Sequence, residues 1–311
     1  MTQKMIFSLD GDQGSLELVG GKGQSLMKLV AAGFRVPAGF QITTDAYRHF
    51  ITEHDLQSRI LELVKPRIVS GICSFEKASE DIVKLFHAHD IDDILINEIN
   101  TAYQALGKAP RVAVRSSANA EDLPHLSFAG QQETYLNVQG IEAIRAAVKN
   151  CWASLWTAQA INYRHEMDIS QEAVRMAVVI QVMVPSEVAG ILFTANPSTG
   201  DRDELIINSS FGLGEVVVSG QVTPDTFIID RKSLKTKDTF ISEKEKMITP
   251  NSNQGTSLKE VTRDQKDQSS LEVDGLRELA EVGLEAENEF GGLPQDIEWA
   301  IAGGKLWLLQ S

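Results

Sequence analysis

The strongest constraint on the fold is a change of character about one third of the way along the chain. From Asp45 to Gly107 the apolar residues recur at helical spacing, with one break near Pro66 to Gly71. Beyond that block, short β-branched runs separated by glycine, proline and asparagine take over: residues 111–115, 132–138, 174–184, 190–194, 204–208 and 226–230. Helical pattern returns only at 141–166, where Trp152, Leu155 and Trp156 share an apolar face, and at 275–290, with Leu276, Leu279, Ala280 and Leu284 inward. Residues 4–10 and 36–42 read as extended, and 24–32 as a helix stopped by Gly33. Residues 243–270 are polar and read as an exposed hairpin or loop. Residues 296–302 and 305–310 read as a final hairpin across Gly303-Gly304.

At 311 residues the chain is long enough for two domains and for a core without staples. We expect an N-terminal lobe over 1–184 and a C-terminal lobe over 185–311. Two cysteines, Cys73 and Cys151, are too few for a disulfide framework and lack metal-site spacing, so a reducing cytoplasm is the simplest setting. No apolar run reaches the ~20 residues of a membrane helix, and Met1 to Asp10 lack the basic-then-apolar order of a signal peptide. A net charge of −14 argues against nucleic acid as a general partner. It leaves room for a phosphate ligand, because a local pocket with a divalent cation can oppose the global charge.

Three segments have the chemistry for such a ligand. Gly20-Gly21-Lys22-Gly23 opens a helix: glycines let backbone N–H groups approach an anion, and Lys22 adds a mobile cation. It is not a Walker A sequence, and alone it fits a glycine turn with a solvated lysine equally well. Arg115 ends the apolar run Val112-Ala113-Val114, where a rigid guanidinium fork suits phosphate oxygens; an ion pair with Glu121 or Asp122 is the structural alternative. The small-residue loop that follows, with His125 in it, is long enough to fold over a ligand. Asp296 and Glu298 fall on one side of a strand, and hairpin pairing brings Gln310 beside Glu298. Carboxylate and amide oxygens are the hard ligands Mg²⁺ prefers, although an exposed acidic hairpin face has the same pattern. Gln181 stands inside an apolar run, where its amide needs a partner: protein backbone, or the edge of an adenine ring. Phe211-Gly212-Leu213-Gly214-Glu215 reads first as a tight turn, and Trp152 and Trp156 as core.

In this order the segments resemble one family. Val19 to Leu26 (V-G-G-K-G-Q-S-L), Val36 to Phe40 (V-P-A-G-F), Val112 to Val138 (V-A-V-R-S-S-A-N-A-E-D-L-P-H-L-S-F-A-G-Q-Q-E-T-Y-L-N-V) and Gly190 to Pro197 (G-I-L-F-T-A-N-P) are the first carriers. Ser210 to Gly220 (S-F-G-L-G-E-V-V-V-S-G), Pro294 to Trp299 (P-Q-D-I-E-W) and Leu308 to Ser311 (L-L-Q-S) complete them. Together they are similar to the N-terminal ATP-binding domain of phosphoenolpyruvate synthase, pyruvate phosphate dikinase and rifampicin phosphotransferase. The resemblance implies an ATP-grasp fold, in which two α+β lobes close on ATP. It puts Lys22 and Arg115 at phosphate-binding, catalytic positions. Gly130 and Thr134 fall beside the nucleotide, Gln181 at the adenine, and Glu298 and Gln310 at Mg²⁺ and phosphate oxygens.

The reaction implied is transfer of the β-phosphoryl of ATP to a histidine on a separate swivelling domain, with release of AMP and phosphate. A small acceptor such as pyruvate, rifampicin or a phenol is phosphorylated afterwards. Such transfer asks this domain for positioning and charge neutralisation more than covalent chemistry. Two departures stand out. The family's T-S-H phosphohistidine segment is absent around His49, His54, His87, His89, His125 and His165, and the arginine that follows Gln-Ser in the family is not in the sequence. We therefore expect an excised domain, or a separate subunit as in phenylphosphate synthase, that needs a phosphohistidine partner. An ATP-sensing module without transfer is the alternative reading. An ordinary γ-phosphoryl kinase is disfavoured, since no kinase-type catalytic Asp loop is visible.

Overall fold

The computed structural model describes residues 4–11, 14–69, 72–119, 133–218 and 220–311. The chain divides into two compact units. The first comprises residues 1–27 and 38–183, the second residues 28–37 and 184–311.

In the first unit a sheet is built from β1 (Ile6–Ser8), β2 (Gly39–Ile42), β5 (Val112–Ala118), β6 (Thr134–Val138) and β7 (Met176–Val182), in the order β1-β2-β7-β5-β6, every neighbouring pair antiparallel. Alternation along the strands sends Phe40, Ile42, Val112, Val114, Val178 and Ile180 to one face, all buried. Helices cover that face: α2 (Thr44–Glu53), α3 (Leu56–Leu63), α4 (Glu76–His87), α5 (Asp93–Ala105), α6 (Ile141–Ser154) and α7 (Ala158–Glu166). Phe50, Ile60, Ile82, Phe86, Ile99 and Trp152 are their contributions to the core. The break expected near Pro66 is a small hairpin of β3 (Arg67–Val69) and β4 (Ile72–Ser74). The helix expected over 141–166 is two helices, because the Thr157 hydroxyl accepts the Ala160 N–H at 3.2 Å and starts a new one. Asp92 caps α5 in the same way, accepting from Ile94 N (2.8 Å) and Leu95 N (3.0 Å).

The first helix, α1 (Leu16–Ala31), begins earlier than the sequence pattern suggests, and its last residues group with the second unit. That unit has a sheet of β8 (Val188–Phe193), β9 (Glu204–Phe211), β10 (Asp225–Asp230), β11 (Thr236–Phe240), β14 (Asp296–Ala302) and β15 (Lys305–Gln310), ordered β11-β10-β9-β8-β14-β15. Leu192, Ile207, Phe227, Ile297, Trp299 and Leu308 form its apolar face, packed against Leu276, Leu279 and Ala280 of α9 (Val273–Glu289). Gly283 makes this packing close: a β-carbon there would stand 2.3 Å from Leu192 Cδ2. β11 was not legible in the sequence; all five of its residues are exposed, and its charges occupy a sheet edge. After β9 the chain turns at Gly212 (φ 83°) into the short α8 (Glu215–Val218), and the polar excursion holds a hairpin of β12 (Lys246–Pro250) and β13 (Thr256–Glu260).

The base of that excursion is fixed by charge. Lys244 Nζ lies 2.6 Å from Asp225 Oδ1, with both side chains fully buried. Among the described residues this carboxylate also accepts from Ser242 N (3.0 Å), the Ser242 hydroxyl (3.4 Å), Ser270 N (2.8 Å) and the Ser270 hydroxyl (2.7 Å). A buried pair persists only when its remaining hydrogen-bonding capacity is met, as here.

Candidate functional site

The glycine segment is a one-residue break inside α1 rather than a loop before a helix. Gly20 has φ 69° and ψ 173°, a region that only glycine enters readily. The break is locked onto the sheet. The Ser117 hydroxyl of β5 donates to Val19 O (2.9 Å) and accepts from Gly23 N (3.2 Å). From β2, Gln41 Nε2 donates to Gly23 O (3.0 Å). A β-carbon on Gly20 would be 2.4 Å from the Ser117 carbonyl oxygen, and one on Gly23 would be 1.9 Å from Gln41 Oε1. Two glycines are therefore required by contact with the sheet. Lys22, half-buried, sits between them, and its charge reaches Cys151, where it opposes the rise that burial imposes on that thiol.

The sheet face opposite the helical core has the other candidates of this unit. Arg115 is in register with Thr134 on β6 and with Val179 on β7, and Val179 is in register with Gln41. Residues in direct register share a face, so Thr134, Arg115 and Gln41 form one row. Ser117 is two residues along β5 from Arg115, which puts the locked glycine turn on the same face. In the adjoining row Gln181 is flanked by Ala113 and Gly39, the smallest available neighbours. Arg115 is 7 % exposed and Gln181 2 %. The Gln181 Nε2 is buried and has no hydrogen-bond partner. Among the described residues nothing bonds this amide, and a buried amide left in this state costs about 1–3 kcal/mol. Arg115, Thr134 and Gln181 thus share one face, and the glycine turn in which Lys22 stands is fastened to it through Ser117. Gly130 lies outside the described residues, as do His125 and the acidic pair Glu121 and Asp122.

In the second unit, Glu298 on β14 is in direct register with Gln310 on β15, at a bulge that follows Glu298. Ile297 and Trp299 point into the core, so Asp296 and Glu298 occupy the opposite face. The same row continues through Ile191 to Asn208 and Thr226, with Asn208 Nδ2 donating to Thr226 Oγ1 at 2.8 Å. A carboxylate and two carboxamides in one row make a set of hard oxygen donors that fits Mg²⁺. Sequence reasoning missed Asn208, Gln41 and, as an anchor, Ser117. Asn208 lies four residues before Gly212 in an apolar strand, the same signal that singled out Gln181. Among the described residues, His49 bonds Asp92 and His54 the Asp90 carbonyl, which link the α2 region to the start of α5, while His89 bonds the Leu85 carbonyl at the end of its own helix. No helix among the described residues is long and apolar enough to cross a membrane.

Comparison with known proteins adds the family. Residues 16–311 match the model of the pyruvate phosphate dikinase AMP/ATP-binding domain. A probable phosphoenolpyruvate synthase of Methanocaldococcus jannaschii is 42 % identical, over 95 % of this chain and 25 % of its own length. The phosphoenolpyruvate synthase of Aeropyrum pernix is 41 % identical, over 97 % of this chain and 40 % of its own. The rifampicin phosphotransferase of Bacillus subtilis is 37 % identical, over 95 % and 34 % respectively. The chain thus spans less than half the length of these relatives. The α+β, ATP-grasp class expected from the sequence stands. With its locked glycine break, its arginine strand and its terminal hairpin, this chain belongs to the pyruvate phosphate dikinase AMP/ATP-binding domain family.

Proposed function

We propose that this chain binds Mg-ATP and is the nucleotide-binding part of a dikinase-type phosphotransferase. It passes the β-phosphoryl of ATP to a histidine on another domain or subunit, with release of AMP and phosphate. The observation that supports the reading is the polar face of the first unit's sheet, where Arg115 and a buried glutamine amide with no partner among the described residues share a side with the Ser117 that fastens the glycine turn. In this reading Gln181 meets the adenine edge. Lys22 and Arg115 hold phosphate oxygens and offset the charge that develops as the phosphoryl group moves. Thr134 and Gly130 line the nucleotide. Glu298 and Gln310 hold Mg²⁺, which when bound neutralises phosphate charge. The acceptor histidine's imidazole forms the new P–N bond as the bond from the β-phosphorus to the oxygen retained by AMP breaks, and water cleaves the bond between the β- and γ-phosphates, so the γ-phosphate leaves as inorganic phosphate. The final small-molecule acceptor is chosen on another domain or subunit. A reducing cytoplasm suits its free cysteines, Cys73 and Cys151.

The test is incubation with ATP labelled in the β-phosphate, Mg²⁺ and the phosphohistidine domain of a relative. Label on the histidine domain with AMP as product supports the proposal, and Arg115→Ala or Glu298→Ala should abolish the label while the far-UV CD spectrum is unchanged. Tight Mg-ATP binding with no label under any condition would favour an ATP sensor. ADP as the product would overturn the assignment of the transferred group.

A further inference from the structure

Away from the nucleotide face, the core of the first unit contains a cation without a counter-charge among the described residues. Arg164 of α7 is fully buried. Its Nε donates to Gln171 Oε1 at 2.7 Å, and Gln171 Nε2 in turn donates to Ile161 O at 3.1 Å, so the guanidinium is held in a fixed orientation. Its Nη1 and Nη2 have no hydrogen-bond partner. The guanidinium carbon lies 5.1 Å from the centre of the Trp156 ring, and Trp156 Nε1 donates to the Tyr47 hydroxyl at 3.0 Å. Trp152, whose ring is 6.1 Å from that of Tyr47, is fully buried and its Nε1 also has no partner.

The unmatched groups in this cluster are all donors. The groups that act on the Arg164 charge include the Tyr47 phenol but no carboxylate, and Arg175 adds further positive charge near Tyr47. Burial pulls the Arg164 proton affinity down to about 10, which leaves it charged at neutral pH. A buried, charged guanidinium with two idle nitrogens is among the costliest arrangements a core can hold. Ordered water would satisfy the N–H groups and leave the charge; an anion satisfies both. The surroundings are aromatic rings and the site is closed to solvent, which selects a small, weakly hydrated ion over a phosphate or a carboxylate metabolite.

We propose that the folded first unit incorporates a monovalent anion of the chloride class against the outer edge of the Arg164 guanidinium, as part of its core. The ion acts as the counter-charge for Arg164 and as acceptor for its free N–H groups. The site is independent of the nucleotide face, so the claim does not rest on the phosphotransferase reading.

The experiment is thermal unfolding of the whole chain at constant ionic strength, with sodium chloride exchanged stepwise for sodium gluconate, in the wild type and in Arg164→Met. The expected result is a Tm that climbs with chloride and then saturates in the wild type, and is insensitive to the exchange in the variant. A crystal of the wild type grown in bromide should then give an anomalous peak in contact with Arg164. Equal unfolding in both salts, or a chloride effect retained in Arg164→Met, overturns the proposal. So does an anomalous map with no bromide at Arg164. Should Arg164→Met fail to fold, the wild-type bromide map decides alone.

Discussion

Ser117→Ala removes one oxygen and tests how the glycine break is held. The hydroxyl bridges two backbone groups: it accepts from Gly23 N at 3.2 Å and donates to Val19 O at 2.9 Å. Both ends of the bridge are buried, and alanine offers neither a donor nor an acceptor. Each orphaned group costs about 1–3 kcal/mol, so opening this segment should become easier by about 2–6 kcal/mol in total. At about 1.4 kcal/mol per factor of ten, hydrogen–deuterium exchange of the Gly23 amide should accelerate roughly 30- to 20,000-fold. The opposite edge of the sheet, at β1, should exchange as in the wild type. Lys22 rides on the same segment, and losing one well-placed charge-assisted contact is worth about 1.5–3 kcal/mol, so Mg-ATP affinity by calorimetry should fall roughly 10- to 150-fold. Exchange at Gly23 unchanged within threefold, with ATP affinity intact, would refute the idea that β5 anchors the turn.

Other substitutions probe other parts of the chain. Gln181→Leu replaces a buried amide whose Nε2 has no partner, so the ligand-free protein should keep or raise its Tm while ATP affinity falls; a protein destabilised by more than about 1 kcal/mol would mean the amide serves the apo fold. Lys244→Met strands the Asp225 carboxylate and should cost about 3–5 kcal/mol in urea unfolding, whereas a loss under about 1 kcal/mol would show the pair to be a bystander. For Glu287, burial acts to raise the carboxyl, but hydrogen bonds from Arg231 and Thr194 prevail and hold it below its usual 4.5. A depressed value in the folded state gives stability that is present above that usual value and lost as the pH falls through the shifted one. Glu287→Gln should therefore flatten the acid limb of the Tm profile, and an unaltered limb would assign the acid loss to other carboxylates.

Much of the fold was readable because its signals are local. The change from period 3.6 to period 2 near Gly107 and the final hairpin both follow from neighbours a few residues apart, whereas the Thr157 cap that splits the helix expected over 141–166 went unread. Even the register of Glu298 with Gln310 is set by a short turn at Gly303-Gly304. What escaped is non-local or lacks an apolar signature. Gly20 looks like a loop in sequence, and only its contact with Ser117, almost a hundred residues later, shows that it interrupts a helix. Asn208 gained its place beside Glu298 through an intervening strand, which no spacing along the chain encodes. β11 has five exposed residues and no hydrophobic alternation to betray it. The unmatched guanidinium of Arg164 could not be read from a stretch that shows only an Arg in a helical pattern.

The buried carboxylate of Asp225 has a practical corollary. It grips the chain at Ser242, Lys244 and Ser270, so everything from 245 to 269 leaves and re-enters the second unit through one fastened neck. Mutational tolerance should therefore differ sharply over a few residues. The tip of the hairpin around Asn251 to Gly255 is a natural place to graft an epitope or a fluorophore, whereas the same graft at the neck would unseat the edge of the sheet.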